Sequence, residues 1–309
     1  MCRFIVGALS PTYNRSVLAA RFSTYGRTAT RRPPQPRDTP LTTHASFTAS
    51  DGTRLAYALD DFTDPWKKAP WVILIHPGMG SSERLFAWVP HFARHYKVVR
   101  PDVRGHGKSE PGTGKPLTLE RIGRDLKELM DHLGIDKAHV MGSSAGGMVA
   151  MQCAFRWPER FQSMSLFAAT AGIHPDRPKK GNWLERAGKH GVRHFLNDTV
   201  KDRIGEASAE HVKWFLDSAE GITVEYLAQF VPLMASEYFP ERLAEYNFPV
   251  QMVVPVPDPM VEAGQYEEMR KHLKKCTYVE IPGAGHGMSA EIPDRCAAEF
   301  RKFIEAVGN

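Results

Sequence analysis

The chain predicts an α/β fold, a mostly parallel sheet with helices on both faces and a helical segment inserted late in the sequence. Three observations carry that expectation. Short apolar runs such as WVILIH (71–76) have the pattern of strands buried on both faces. Helix-period segments alternate with them, which calls for right-handed βαβ crossovers. The alternation then breaks over residues 170–247, where polar, helix-like sequence such as WLERAGKHGVRHFLNDTV takes over. An excursion of that size is too long for a plain loop.

Taken in order, ASFTAS and TRLAYAL flank Asp51-Gly52, the signature of a two-residue hairpin. WVILIH is the first buried strand, residues 83–95 read as a helix, and KVVRPD (97–102) is the next strand. In TLERIGRDLKELMDHLG (118–134), Leu119, Ile122, Leu126, Leu129, Met130 and Leu133 recur at three- and four-residue steps before Gly134, which marks a helix. KAHVMG (137–142) is a strand, AGGMVAMQCAFRW (145–157) a helix stopped by Pro158, and QSMSLFAA (162–169) a strand. Strands resume at PVQMVVPV (249–256) and CTYVEIP (276–282), each followed by a helix. The expected organisation is an N-terminal segment (1–40), a core in two pieces (41–169 and 248–309) and a helical cap (170–247).

A net charge of +5 invites a nucleic-acid partner, but its distribution excludes one. Residues 1–37 hold seven arginines and no Asp, Glu or Lys; without those arginines the chain sums to −2. An Arg-, Ser- and Thr-rich, acid-free start has the composition of a mitochondrial transit peptide, so the expected location is the matrix, with the cytoplasm as the alternative. No apolar run approaches the roughly 18 residues of a membrane span. Cys2, Cys153, Cys276 and Cys296 are isolated, which argues against a disulfide framework or a zinc site; Cys153 reads as a buried, inert thiol. Chain size is compatible with a homodimer, though no exposed apolar seam is legible.

The chemistry concentrates at HVMGSSAGGMVA (139–150). Gly142-Ser143-Ser144-Ala145-Gly146 matches G-x-S-x-G in a strand–turn–helix context, with Ser144 at the centre and Ser143 one residue early. Small neighbours let strand and helix approach, and the turn lifts the hydroxyl to a helix N-terminus that favours negative charge. A serine needs a base and an orienting acid. His286, in the Gly-rich loop IPGAGHGMSAEIPD, is the expected base, and Asp258, in VVPVPDPM after a strand, the expected acid, with Asp176 in reserve. The oxyanion needs two backbone N–H donors. Ala145 supplies one, and HPGMGSS (76–82) the other through Gly78, with Met79 as fallback; Pro77 has no N–H. PDVRGHGKS (101–109) reads as a structural turn despite Asp102, Arg104 and His106. No ligand set, GxGxxG or Walker sequence accompanies these residues, so neither metal nor organic cofactor is expected.

The pieces HPGMGS, PDVRGHGKS, GSSAGG, VPDPM and GAGH, in that order, resemble the α/β-hydrolase superfamily across residues 44–307. That resemblance implies an eight-stranded, mostly parallel sheet with a helical cap after the sixth strand. RIGRDLKELMDHLGIDKAHVMGSSAGG and the cap opening NWLER look most like 3-oxoadipate enol-lactonases. The likeness implies hydrolysis of an ester or enol-lactone of a small molecule, with Trp183 and Arg186 facing the substrate and Arg186 pairing a carboxylate. Pro77 and Pro255 depart from the glycines usual near those positions. Carbon–carbon hydrolysis of a β-diketone, or a hydrolase-fold receptor with little turnover, are the alternatives, since fold does not fix function.

Overall fold

The computed structural model describes residues 42–112, 114–173 and 183–308. Its eight strands are β1 (Thr42–Thr48), β2 (Arg54–Asp60), β3 (Trp71–Ile75), β4 (Lys97–Pro101), β5 (Ala138–Ser143), β6 (Phe161–Phe167), β7 (Val250–Val256) and β8 (Cys276–Pro282). They form one sheet in the order β1-β2-β4-β3-β5-β6-β7-β8. The two ladders made by β2 are antiparallel and all the others parallel. The apolar runs explain the centre. Val72 to Ile75 of β3 have no exposed surface, and β5 is buried throughout. Strands covered on both faces need no polar alternation.

Eleven α-helices are described. Helices α1 (Val89–Phe92), α2 (Leu119–His132) and α3 (Ala145–Arg156) belong to the first half. Between β6 and β7 come α4 (Trp183–His190), α5 (Val192–Asp198), α6 (Val200–Ile204), α7 (Ala209–Asp217), α8 (Val224–Met234) and a 3-10 turn at Pro240–Glu245. Helix α9 (Gln265–His272) precedes β8, and α10 (Met288–Glu291) and α11 (Pro293–Val307) follow it. The Thr118 hydroxyl caps α2 by accepting the Arg121 N–H at 3.1 Å, and its periodic residues Leu119, Ile122, Leu126, Leu129 and Met130 are the buried face.

Two local expectations are corrected. The helix expected over 83–95 is a 3-10 run, Ser82–Trp88, followed by the single α-turn of α1. Pro90 lacks the N–H that would continue an α-helical ladder through the middle of that segment. The hairpin loop holds three residues, Ser50 to Gly52, closed by the Ala49 N–H on the Thr53 carbonyl at 2.8 Å. A two-residue type I′ turn needs positive φ at both central residues, and here only Gly52 has it, at 87°.

Register brings the working loops to one edge. Ile75 pairs with Gly142, Ser143 with Phe167, and Val256 with Pro282. The loops after β3, β5, β7 and β8 therefore leave the same, carboxyl, ends of the strands, where ligands of open α/β sheets bind. The inserted helices reach this edge. Phe230 of α8 packs on the His106 ring at 4.9 Å, and the Arg84 side chain crosses to Phe215 of α7.

Candidate active site

Ser144 sits between β5 and α3 with φ 50° and ψ −118°, a conformation that side chains rarely adopt. Strain of this kind costs of order 1–3 kcal/mol and survives only where surroundings enforce it. Here the Ser144 N–H donates to the Phe167 carbonyl at 2.9 Å, and its carbonyl accepts the Gly147 N–H at 2.9 Å. Glycines make the turn possible. A Cβ at Gly142 would lie 2.4 Å from the Gly146 carbonyl oxygen, and one at Gly146 2.4 Å from that of Ile75. Ser143 is fully buried, with its hydroxyl 2.8 Å from that of Ser289, so it is packed away from the loops.

The hydroxyl of Ser144 is 2.9 Å from Nε2 of His286, whose Nδ1 lies 2.9 Å from Oδ2 and 3.1 Å from Oδ1 of Asp258. A carboxylate only accepts, so Nδ1 carries the proton and Nε2 presents its lone pair to the serine. The Asp258 side chain is 3% exposed. It also accepts the Met260 N–H at 2.8 Å and the Tyr266 hydroxyl at 2.7 Å. Burial alone would push this carboxyl up. The hydrogen bond and charge of His286, then Tyr266 and Met260, outweigh it and hold the group below the usual carboxylate range.

The His286 loop is held from two sides. Its own N–H donates to the Asp202 carbonyl at 3.1 Å and that of Gly287 to the Arg203 carbonyl at 2.6 Å, both in α6. The Gly285 N–H donates to Glu291 Oε2 at 2.6 Å. On the opposite side, His76 donates from Nδ1 to the Pro77 carbonyl at 2.8 Å and accepts the Val103 N–H on Nε2 at 2.9 Å. That pairing requires a neutral ring, and burial lowers its pKa accordingly. It clamps the loop carrying Gly78 and Met79. A Cβ on Gly78 would be 3.3 Å from that of Ala145, so these two expected donors stand side by side. Ala145 opens α3, where an N–H has no acceptor in a preceding turn. Met79 is half-buried, with φ 58°.

The remaining candidates divide. Asp102 accepts the Ser82 and Lys108 N–H groups at 2.8 and 2.9 Å, and Arg104 pairs with Asp125 and Asp51, so this turn braces the sheet edge. Buried His106, pulled down to about 3 chiefly by desolvation, packs against His76, Tyr226 and Phe230. Arg186 is engaged within the inserted helices. Its side chain is 50% exposed and paired with Asp198, so the geometry lends no support to a substrate carboxylate there. Trp183 begins α4, but its side chain, like all of Asp176, lies outside what the structure describes. Among the described residues, no three of His, Cys, Asp and Glu are grouped to hold a metal ion, and no helix is long and apolar enough to cross a membrane.

Tyr266 and Glu291 are the contributors that sequence reading missed. Tyr266 follows the acid by eight residues in a charged helix, and nothing in GQYEEM signals that its hydroxyl turns back. A donor to a charged acceptor contributes roughly 1.5–3 kcal/mol. Tyr266→Phe is expected to lose that much stability at pH 7. Because the folded-state pKa of Asp258 is depressed below 3.8, the wild-type advantage is complete above that value and fades as pH falls through the lower one. Urea unfolding of both proteins at pH 7 and pH 3 checks it; equal stabilities at pH 7 would remove Tyr266 from the network.

Comparison with known proteins agrees with this architecture. Residues 70–204 match the family model described as alpha/beta hydrolase fold. The chain is 26% identical over 238 residues to 3-oxoadipate enol-lactonase 1 of Acinetobacter baylyi, covering 71% of this chain and 84% of that protein. Its fold is similar to the enol-lactonase from Burkholderia xenovorans LB400, with a TM-score of 0.73, 23% identity, and coverage of 84% and 99% of the two chains. It is also similar to a thermophilic esterase from Thermogutta terrifontis, with a TM-score of 0.74, 22% identity, and coverage of 86% and 100%. The chain has the α/β-hydrolase fold, and its residues 70–204 match the model of that family.

Proposed function

We propose that the protein hydrolyses a carboxylic ester or lactone of a small molecule through an acyl-enzyme. The observation that carries this reading is the continuous relay from Ser144 Oγ through His286 to Asp258, at 2.9 Å for each link. Ser144 attacks the carbonyl as His286 Nε2 takes its proton, and Asp258 holds the imidazole and stabilises the cation that forms. Negative charge on the carbonyl oxygen falls to the N–H groups of Gly78 and Ala145, each donor worth about 10²–10³ in rate. His286 then protonates the leaving group, and a water activated by the same nitrogen clears the acyl-enzyme. The reaction so written draws on no metal or organic cofactor. Residues 170–247 act as the cap over the site.

The lactone half of the proposal leans on likeness to 3-oxoadipate enol-lactonase 1. Placement in the mitochondrial matrix leans on the acid-free, arginine-rich composition of residues 1–37 alone. The purified protein is expected to release acid from a small γ-lactone and from a short aryl ester, followed by pH-stat titration. Turnover of the aryl ester alone would keep the relay and discard the lactone. Silence on both would overturn the hydrolytic reading.

A further inference from the structure

Among the described residues four arginines are buried: Arg84, Arg100, Arg104 and Arg203. Two of them are neutralised. Arg100 meets Asp60 at 2.9 Å, and Arg104 meets Asp125 and Asp51 at 2.7 and 2.9 Å. Arg84 and Arg203 form no such ion pair with any described residue, although they are 1% and 9% exposed. Arg84 donates from Nε to the Ser218 hydroxyl at 2.7 Å and from a terminal nitrogen to the Phe215 carbonyl at 3.1 Å, with the Phe215 ring 3.8 Å from its central carbon. Arg203 donates from Nε to the Thr199 hydroxyl at 3.0 Å. All these partners are neutral. Asp202, adjacent in the chain, is exposed and acts on Arg203 only without contact.

Burying a charge is costly unless a counter-charge meets it. Among the described residues that cost is met by aspartates at Arg100 and Arg104 and left unmet at Arg84 and Arg203, and these two touch the loops that carry Gly78 and His286. The Arg84 guanidinium lies against the loop that carries Gly78, since a Cβ on Gly80 would be 2.7 Å from its central carbon. Arg203 belongs to α6, and its carbonyl holds the N–H of Gly287 beside His286. The two cations also sense each other. Burial first, and the Arg203 charge second, hold Arg84 well below its ordinary pKa.

We propose that Arg84 and Arg203 form an anion subsite beside Ser144 and His286 that receives a carboxylate carried by the substrate, so that the ester or lactone cleaved is an acidic one. This rests on the hydrolytic reading of that pair. The unused N–H donors of a guanidinium match the paired oxygens of a carboxylate, and an incoming anion supplies the charge that no described side chain does. Arg186, already matched by Asp198 and half in solvent, lacks both properties.

The test compares kcat/KM on mono-4-nitrophenyl glutarate with that on 4-nitrophenyl butyrate, and glutarate binding by calorimetry, in wild type, Arg203→Gln and Arg203→Lys. Arg203 is chosen because Arg84 also ties the core to α7, so its loss risks the fold. Wild type is expected to favour the glutarate ester, and Arg203→Gln to lower the glutarate-to-butyrate ratio about 30-fold or more, with Lys restoring part of it. Glutarate is expected to bind wild type and not Arg203→Gln. Equal loss on both esters, no preference in wild type, or glutarate binding that ignores the substitution would each overturn the subsite. If neither ester is cleaved, the γ-lactone assay decides the hydrolytic reading, and glutarate binding decides the subsite on its own.

Discussion

Ser144→Ala is expected to leave a folded protein whose ester or lactone turnover has fallen by about 10⁶, the scale seen when a serine nucleophile is removed from a working Ser/His pair. The fold should hold, because among the described residues the only side-chain hydrogen bond lost is the one to His286 Nε2. The backbone bonds to Phe167 and Gly147 remain, and alanine bears the φ of 50° no worse than serine. What survives would be the share due to binding and the oxyanion donors, about 10³–10⁴ over water. Ser143→Ala is the matched control. That hydroxyl is sealed against Ser289, so its loss should cost packing and leave the chemistry. The measurement is initial rate for both variants against wild type, with circular dichroism to show folding. Activity in Ser144→Ala above about a thousandth of wild type would sink the assignment, because no combination of binding and oxyanion terms reaches so far.

How much of this was readable from residues alone depends on how local the signal is. Buried strands announce themselves in unbroken apolar runs, and Ser144 in the small residues either side of it, since both requirements act within one or two turns of chain. Asp258 and His286 were legible because each sits in a turn directly after a strand, and the topology carries the turns after the parallel strands to one edge. The rest is non-local. Tyr266 and Glu291 act through side-chain hydrogen bonds on the acid and the His286 loop, and a tyrosine in a charged helix looks the same whether its hydroxyl meets water or Asp258. Arg84 reaches across 134 residues to Ser218, a contact with no periodicity to betray it. Which arginines are neutralised is likewise decided by the packing of distant segments. The misread helix over 83–95 and the hairpin loop failed for a different reason, since the proline and the single positive-φ residue that decide them were visible but outweighed by pattern.

The acid offers the second large effect. Asp258→Asn is expected to lower kcat by about 10⁴, as the same exchange does in a serine protease triad, with little change in fold. The cause is the surrounding hydrogen bonds. Oδ1 accepts from the Met260 N–H, which is fixed in the backbone, so the single oxygen of an asparagine is drawn to that side. The amide nitrogen then faces the Tyr266 hydroxyl, which can accept, and His286 Nδ1. An imidazole facing a donor must accept on Nδ1 and carry its proton on Nε2. That tautomer points a hydrogen at Ser144 and cannot take one from it. Tyr266 and Met260, which steady the carboxylate in the wild type, thus select the inactive form in the variant. Combining the exchange with Tyr266→Phe should therefore relieve part of the loss, because the asparagine becomes freer to turn. Rates for the two single variants and the double variant test this as a cycle. A fall of less than about tenfold in Asp258→Asn would show that another carboxylate orients His286 during turnover, and Asp176, outside the described residues, would be the next to replace.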